Sequence, residues 1–181
     1  MSTFISMLRG INVGGQKTVK MDALQKMFES LGYKNVRTYV QSGNVVFESA
    51  DAKALDMATK IENQITKIFG FEVPVIIRSE DDCRKLIKAN PFLNKDIDEL
   101  YVTFLLQMPA SVPVDDFNKI KDKEEEYFVS GKEIFLVYPN GYGRTKLNNN
   151  YFEKKLRVKA TTRNWKTVMA LWNLANDKSI A

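Results

Sequence analysis

Two glycine-rich segments contain the residue types best suited to binding a small anion. The first, RGINVGGQK, covers residues 9–17 and follows the first apolar run; the second, PNGYGRTK, covers residues 139–146. Each segment combines flexible glycine backbone, which exposes N–H groups, with Arg and Lys side chains that supply positive charge. A bound phosphate or carboxylate requires both features. The two segments therefore predict a small anionic ligand, bearing phosphate or carboxylate.

We expect this ligand in a cleft between two halves of the chain. One wall would come from the first segment, the other from the second segment and a later strand-to-helix junction, with two further polar donors between them. Lys17 and Lys20 precede a predicted helix, whose N-terminus favours anions. The candidate ligand-binding residues are Arg9, Asn12, Gly14, Gly15, Lys17, Gln41, Asn44, Arg144, Lys146, Arg163 and Asn164. The alternative is structural: a β–α loop that needs positive φ, with Arg9 paired to a carboxylate.

The sequence lacks most of the usual catalytic groups. It has no histidine, which excludes imidazole acid–base chemistry, Ser-His and Cys-His pairs, and histidine-based metal sites. The glycines match neither the Rossmann nor the P-loop fingerprint. Cys83 is the single cysteine and we interpret it as incidental. The sequence therefore identifies no metal, cofactor or catalytic residue, and an enzyme would have to use electrostatic positioning, with Lys17 or Tyr39 as acid–base group.

The composition is that of a globular protein, with 44% hydrophobic and 27% charged residues. No apolar run approaches the ~20 residues of a membrane span, and no signal peptide precedes the first strand. Together with the single cysteine, this predicts a cytoplasmic protein without membrane contact. Residues 127–181 contain ten Lys and Arg against three Asp and Glu. This basic end leaves nucleic acid open as an alternative partner, with Tyr142 as an exposed aromatic.

The order of predicted elements indicates an α+β fold. Residues 1–79 read as strand, helix, hairpin, helix and strand, the βαββαβ order of a ferredoxin-like unit. A helix and linker cover residues 80–99, and the pattern then repeats over residues 100–181 with an extra C-terminal helix. Both hairpins contain an aromatic, a Ser-Gly turn and a second aromatic at the same offsets, from Tyr39 to Phe47 and from Tyr127 to Phe135. We therefore predict two tandem ferredoxin-like subdomains.

Two helices have clear apolar stripes at helical spacing. In the helix predicted from Ala52 to Phe69, the stripe is Leu55, Ala58, Ile61, Ile65 and Ile68. In the C-terminal helix, predicted from about Asn164 to Asn176, it is Trp165, Val168, Met169, Trp172 and Ala175. We interpret both stripes as core-facing.

Three motifs, taken together, resemble the signatures of a bacterial family known as domain of unknown function 1697. They are RGINVGG at residues 9–15, VRTYVQSGNV at residues 36–45 and TTRNW at residues 161–165. The NPF at residues 90–92 and the stretch from Tyr138 to Leu147 fit the same pattern. The resemblance spans essentially the whole chain. It implies an α+β fold of two ferredoxin-like subdomains and carries no known activity, substrate or catalytic residue.

Three classes of function therefore remain open: a binding or regulatory module, an enzyme without histidine chemistry that acts on a phosphorylated or acidic metabolite, and a nucleic-acid-binding protein. A binding module needs only hydrogen-bond donors, which suits a chain without histidine. An enclosed polar pocket would favour a small ligand or an enzyme, whereas an open basic stripe would favour nucleic acid. The sequence does not define the oligomeric state.

Overall fold

The computed structural model describes residues 1–177, which form two four-stranded antiparallel sheets and six α-helices. The strands are β1 (Ser2–Leu8), β2 (Lys34–Tyr39), β3 (Asn44–Ser49), β4 (Val75–Ser79), β5 (Leu100–Leu105), β6 (Glu126–Ser130), β7 (Glu133–Val137) and β8 (Ala160–Asn164). The helices are α1 (Met21–Ser30), α2 (Ala54–Phe69), α3 (Glu80–Ala89), α4 (Val114–Ile120), α5 (Asn149–Leu156) and α6 (Trp165–Asn176). The predicted α+β class is confirmed. None of the described helices has the length and apolarity needed to span a bilayer.

The chain divides into two compact units. Of the described residues, unit 1 contains 1–85 and 170–177, and unit 2 contains Leu86–Met169. The strand order is β2-β3-β1-β4 in the sheet of unit 1 and β6-β7-β5-β8 in the other. In chain order, both sheets therefore read second, third, first and fourth. The predicted subdomain limits at residues 79 and 100 stay a prediction.

In unit 1, helices α1 and α2 supply the apolar residues that cover one face of the sheet. Phe47 lies at the centre of this core, with ring centroids 5.4 Å from Phe28 of α1 and 4.6 Å from Tyr33. Phe4 of β1 stacks on the same ring at 5.9 Å. Alternation along β1 and β3 directs Phe4 and Phe47 toward the helices and their neighbours Thr3 and Glu48 toward the opposite face.

In unit 2, the core is built on aromatic contacts between α4 and α5. The ring of Phe117 lies 5.3 Å from that of Phe152, edge to face, and both side chains are fully buried. Leu105, Leu136 and Ala160 bring apolar side chains from three strands into the same cluster. Burial of such side chains supplies the main driving force for folding of the unit.

The apolar stripes of two helices differ from those predicted. In α2, Leu55 and Ile68 are 63% and 50% exposed, while Met57 joins Ala58, Ile61 and Ile65 in the core. Leu55 lies about 120° around the helix from Ile61, which places it off the buried face. In α6, the fully buried residues are Trp165, Val168, Leu171 and Ala175. Met169 and Trp172 are only partly buried.

Gly43 directly precedes β3, at a close approach between two backbone segments. Its carbonyl accepts the Leu8 N–H at 2.9 Å, and its φ is +75°. A Cβ atom built at Gly43 would lie 2.7 Å from Leu8 Cβ and 2.8 Å from Ile11 Cδ1. Only glycine fits this position without displacement of the core.

We therefore expect Gly43→Ala to destabilise the protein by about 3 kcal/mol, because backbone strain and overpacking add. Gly32→Ala is the matched control, since Gly32 has φ +89° and open space around its Cβ position. It should lose only about 1 kcal/mol. Urea unfolding followed by circular dichroism measures both free energies. Equal losses in the two variants would contradict the packing argument.

Candidate functional site

The segment between β1 and α1, residues 9–20, is called the glycine loop below. Five of its residues have left-handed backbone: Gly10, Asn12, Gly14, Gly15 and Lys17. Val13 and Gln16 pair across Gly14 and Gly15, and the Gln16 N–H donates to the Val13 carbonyl at 3.1 Å. Two successive glycines with positive φ are what a two-residue turn of this kind requires. The loop therefore projects a tight turn whose tip is glycine backbone.

Asn12 ties this loop together through its side chain. Its amide group donates to the Val19 carbonyl at 3.0 Å and to the Gln41 carbonyl at 2.8 Å. Its Oδ1 accepts the Val19 N–H at 2.8 Å. The left-handed conformation is tolerated here because Asn enters that region more readily than most residues. Asn12 thus joins both ends of the loop to the β2–β3 turn.

The β2–β3 turn is itself strained. Val40 has φ +48°, an outlier for a β-branched side chain, and 53% of the residue is exposed. Asn44 is fully buried and donates to Ser42 Oγ at 2.7 Å and to the Tyr39 carbonyl at 3.3 Å. Strained backbone persists where surrounding contacts over-determine it, and such places concentrate at functional sites. No sequence pattern signals Val40, since its side chain disfavours this conformation.

Exposed donors and cations of the loop and of the neighbouring β2–β3 turn lie beside the exposed side chain of Val13. Gly14, Gly15, Lys17, Lys20 and Gln41 are all exposed. Neither glycine N–H donates to another group in the described part of the chain. The Lys17 ammonium donates to the Glu72 carbonyl at 2.7 Å, which leaves two of its three protons for a ligand. These five residues form the candidate site and are called the glycine-loop surface.

The cations at the two ends of the loop, Arg9 and Lys20, lie in different surroundings. Arg9 is partly buried, and its backbone N–H donates to the Pro74 carbonyl at 3.0 Å. Lys20 occupies the N-cap position of α1 without a side-chain cap hydrogen bond. Asp22 lies in the first turn of that helix and offsets part of its positive end. The loop, rather than the helix terminus, therefore provides the better anion-binding groups.

The predicted residues of unit 2 lie in different environments. Arg163 is partly buried in β8 and donates from Nη1 to Thr161 Oγ1 at 2.7 Å and to the Thr162 carbonyl at 3.0 Å. Burial lowers the pKa of Arg163 to about 10, since desolvation disfavours the cation. Asn164 accepts the Thr167 N–H at 2.8 Å and caps α6. Arg144 and Lys146 are exposed on the chain between β7 and α5.

The shifted pKa values of the described tyrosines also reflect burial. Desolvation, and secondarily Asp51, raises the pKa of Tyr33 to about 12. Burial raises the pKa of Tyr138 well above its usual value, and its hydroxyl donates to the Leu147 carbonyl. Both shifts hold the proton more tightly, which opposes a role as general base. Among residues 1–177, no group of His, Cys, Asp and Glu is arranged to hold a metal ion.

A family model described as "Protein of unknown function (DUF1697)" matches residues 1–135. The chain belongs to this family. The match includes the whole glycine loop and the β2–β3 turn, so both motifs of the candidate site lie within the DUF1697 region. The predicted family resemblance is thereby confirmed.

One solved structure similar to this DUF1697 chain is that of a conserved bacterial protein from Streptococcus pneumoniae. The two share 23% sequence identity with a TM-score of 0.75, over 97% of this chain and 99% of the other. At this identity the likeness shows a shared fold. No curated protein matches the sequence.

Asn12→Asp should destabilise the protein by about 2 kcal/mol or more, because a carboxylate would face the Val19 and Gln41 carbonyls in place of two donors. Asn35→Asp is the matched control. Asn35 also has left-handed backbone, at φ +47°, but is exposed. The control should stay within about 0.5 kcal/mol of the parent in urea unfolding. A loss at Asn12 no larger than at Asn35 would show that the amide does not hold the loop.

Proposed function

We propose that this protein binds a small anionic ligand, bearing phosphate or carboxylate, at the glycine-loop surface of unit 1. The observation that carries the proposal is the exposed tip of Gly14 and Gly15, held by Asn12 in a conformation that leaves both N–H groups for a ligand. Paired backbone N–H groups beside a cation are a common way to bind an anion.

Electrostatics supports the same assignment. Lys17 and Lys20 both follow the glycine turn on the path to α1, and both residues are exposed. The bond from Lys17 to the Glu72 carbonyl restricts its ammonium, so less conformational entropy is lost when a ligand binds. A site built from donors needs no titrating group, in keeping with a chain that contains no histidine. Participation of Arg9, Arg144, Lys146, Arg163 and Asn164, and the cleft that would unite them, stay predictions.

We further propose that each unit is a ferredoxin-like subdomain. In support, both four-stranded sheets have the strand order second, third, first, fourth, and helices follow the first strand of each. A cytoplasmic location also stays a prediction, supported by the single cysteine.

The nucleic-acid and enzyme alternatives have less support. Several lysines of unit 2 are paired with acids: Lys95 with Glu126 at 2.6 Å, Lys155 with Asp116 at 2.7 Å, and Lys166 with Asp98. Such pairing reduces the positive field available to a phosphate backbone. An enzyme would require an acid–base group, and none of the described contacts supports that role for a particular residue. Both alternatives stay predictions.

Inorganic phosphate, pyrophosphate and citrate, added at constant ionic strength, should raise the melting temperature. For at least one of them we expect a rise of about 3 °C once its concentration is tenfold above Kd. The double variant Lys17→Gln and Lys20→Gln should lose this rise, since it removes both cations beside the turn.

One matched control, a second double variant, accompanies the first. Lys53 is the N-cap of α2, without a side-chain cap, and Lys67 is an exposed lysine of the same helix. The pair Lys53→Gln and Lys67→Gln removes the same charge from unit 1 but leaves the glycine loop intact. It should keep the full rise in melting temperature. Equal loss in both double variants, or no rise with any anion, would refute the proposed site.

A further inference from the structure

A concavity of about 470 Å³ lies at the end of the unit 1 sheet opposite the glycine loop. It is bounded by the start of β1, the middle of β2, the end of β3, the start of α3 and the end of α6. β1 spans ~20 Å at about 3.3 Å per residue, and the glycine loop follows its far end. The concavity is thus separate from the glycine-loop surface. Its volume is in the range of small-molecule sites.

Strand register fixes three polar side chains on the floor of this concavity. Thr3 pairs directly with Glu48, and Arg37 pairs with Val46, two residues before Glu48 on β3. All three side chains lie on the sheet face opposite α1 and α2, because their chain neighbours Phe4, Phe47 and Val36 belong to the helix-facing core. The direct partner of Glu48 on β2 is Lys34, and the register shifts between Lys34 and Arg37, so Arg37 is a diagonal neighbour of Glu48 on this face.

Arg37 and Glu48 carry opposite charges, but within the described part of the chain they do not form an ion pair with each other. Arg37 donates from Nη1 to the Asp177 carbonyl at 3.3 Å, and its buried Nε has no hydrogen-bond partner among the described residues. Neither Arg37 nor Glu48 forms an ion pair within the part of the chain that is described. Hydrogen bonds to a charged guanidinium are stronger than those between neutral groups, so a ligand carboxylate that reaches the Arg37 side chain would be favoured.

The charged side chains of α3 at the rim are already paired with one another. Arg84 pairs with Glu80 at 3.7 Å and with Asp81 at 3.1 Å, and Lys85 pairs with Asp81 at 2.7 Å. The N-terminus of α3 is capped by reciprocal bonds between Ser79 and Asp82, at 3.0 and 3.1 Å. Arg37 and Glu48 therefore face the concavity without an ion pair among the described residues, and Met1 and Asp177 add one charge of each sign at its rim.

We infer that this concavity is a second binding site, for a small zwitterion of the α-amino acid type. The carboxylate of the ligand accepts hydrogen bonds from Arg37, and its ammonium group pairs with Glu48. The hydroxyl of Thr3, beside Glu48, contributes a further polar contact. An anion alone would be repelled by Glu48, and a cation alone by Arg37, so both charges of the ligand are required. This site is independent of the proposed function at the glycine loop.

The test uses the full chain and each of the standard amino acids at millimolar concentration. Each is compared with its N-acetyl and its carboxamide derivative, which remove one charge at a time. At least one free amino acid should raise the melting temperature by about 3 °C at tenfold its Kd, and neither of its derivatives should. No rise with any free amino acid, or an equal rise with a derivative, overturns the inference.

Charge-neutralising variants locate the binding. Arg37→Gln and Glu48→Gln should each weaken binding of that amino acid at least tenfold, whereas Lys67→Gln and Glu29→Gln, at exposed positions of unit 1, should not. Unchanged affinity in the first pair overturns the assignment. In the parent protein, the Arg37 Nε–H resonance should also shift on titration, a readout that needs no variant. Binding should survive Lys17→Gln with Lys20→Gln, which separates this inference from the glycine-loop proposal.

Discussion

The side chain of Asn12 fixes the conformation of the glycine loop, which carries the proposed anion site. Three hydrogen bonds connect it to Val19 and to the β2–β3 turn at Gln41. Left-handed backbone at a residue other than glycine costs roughly 1–2 kcal/mol, and it occurs at Asn12, Lys17 and Val40 within this small region. Each hydrogen bond returns about 1 kcal/mol. The loop conformation thus depends on a set of contacts that must all form together.

The sheet of unit 1 separates two polar regions along a single strand. After Leu8, at one end of β1, the chain enters the glycine loop; before Phe4, at the other end, Thr3 lies beside Glu48 and the polar concavity. Between them the strand is buried and its register with β3 is fixed by the close contact of Gly43 and Leu8. A buried strand with fixed register holds both regions in place, as ligand sites require.

The order of elements could be predicted from the sequence, because the spacing of apolar residues identifies the helices and strands and glycines mark where many of them end. The spacing rule predicts the buried faces of the helices less accurately. Leu55 matches the rule but lies off the buried face of α2, and Met57 is buried in the core instead. Asn12, Asn44 and Asn164 were predicted as ligand donors, yet their amides bond to the backbone or turn beside them. An Asn before a helix is an N-cap signal, so the position of Asn164 already contained that information. The placement of Arg37 and Glu48 at one site could not be predicted from the sequence, because it depends on the register between β2 and β3.

The most direct test of the anion site is a titration of the ¹⁵N-labelled protein with inorganic phosphate, followed through the backbone amide resonances. We predict saturable shifts at Gly14 and Gly15, because their N–H groups are the donors offered to the ligand. Gly131, an exposed glycine with positive φ in the β6–β7 turn, should not move and serves as internal reference. Shifts of Gly131 equal to those of Gly14 and Gly15, or no saturable shift at the loop, would contradict the account.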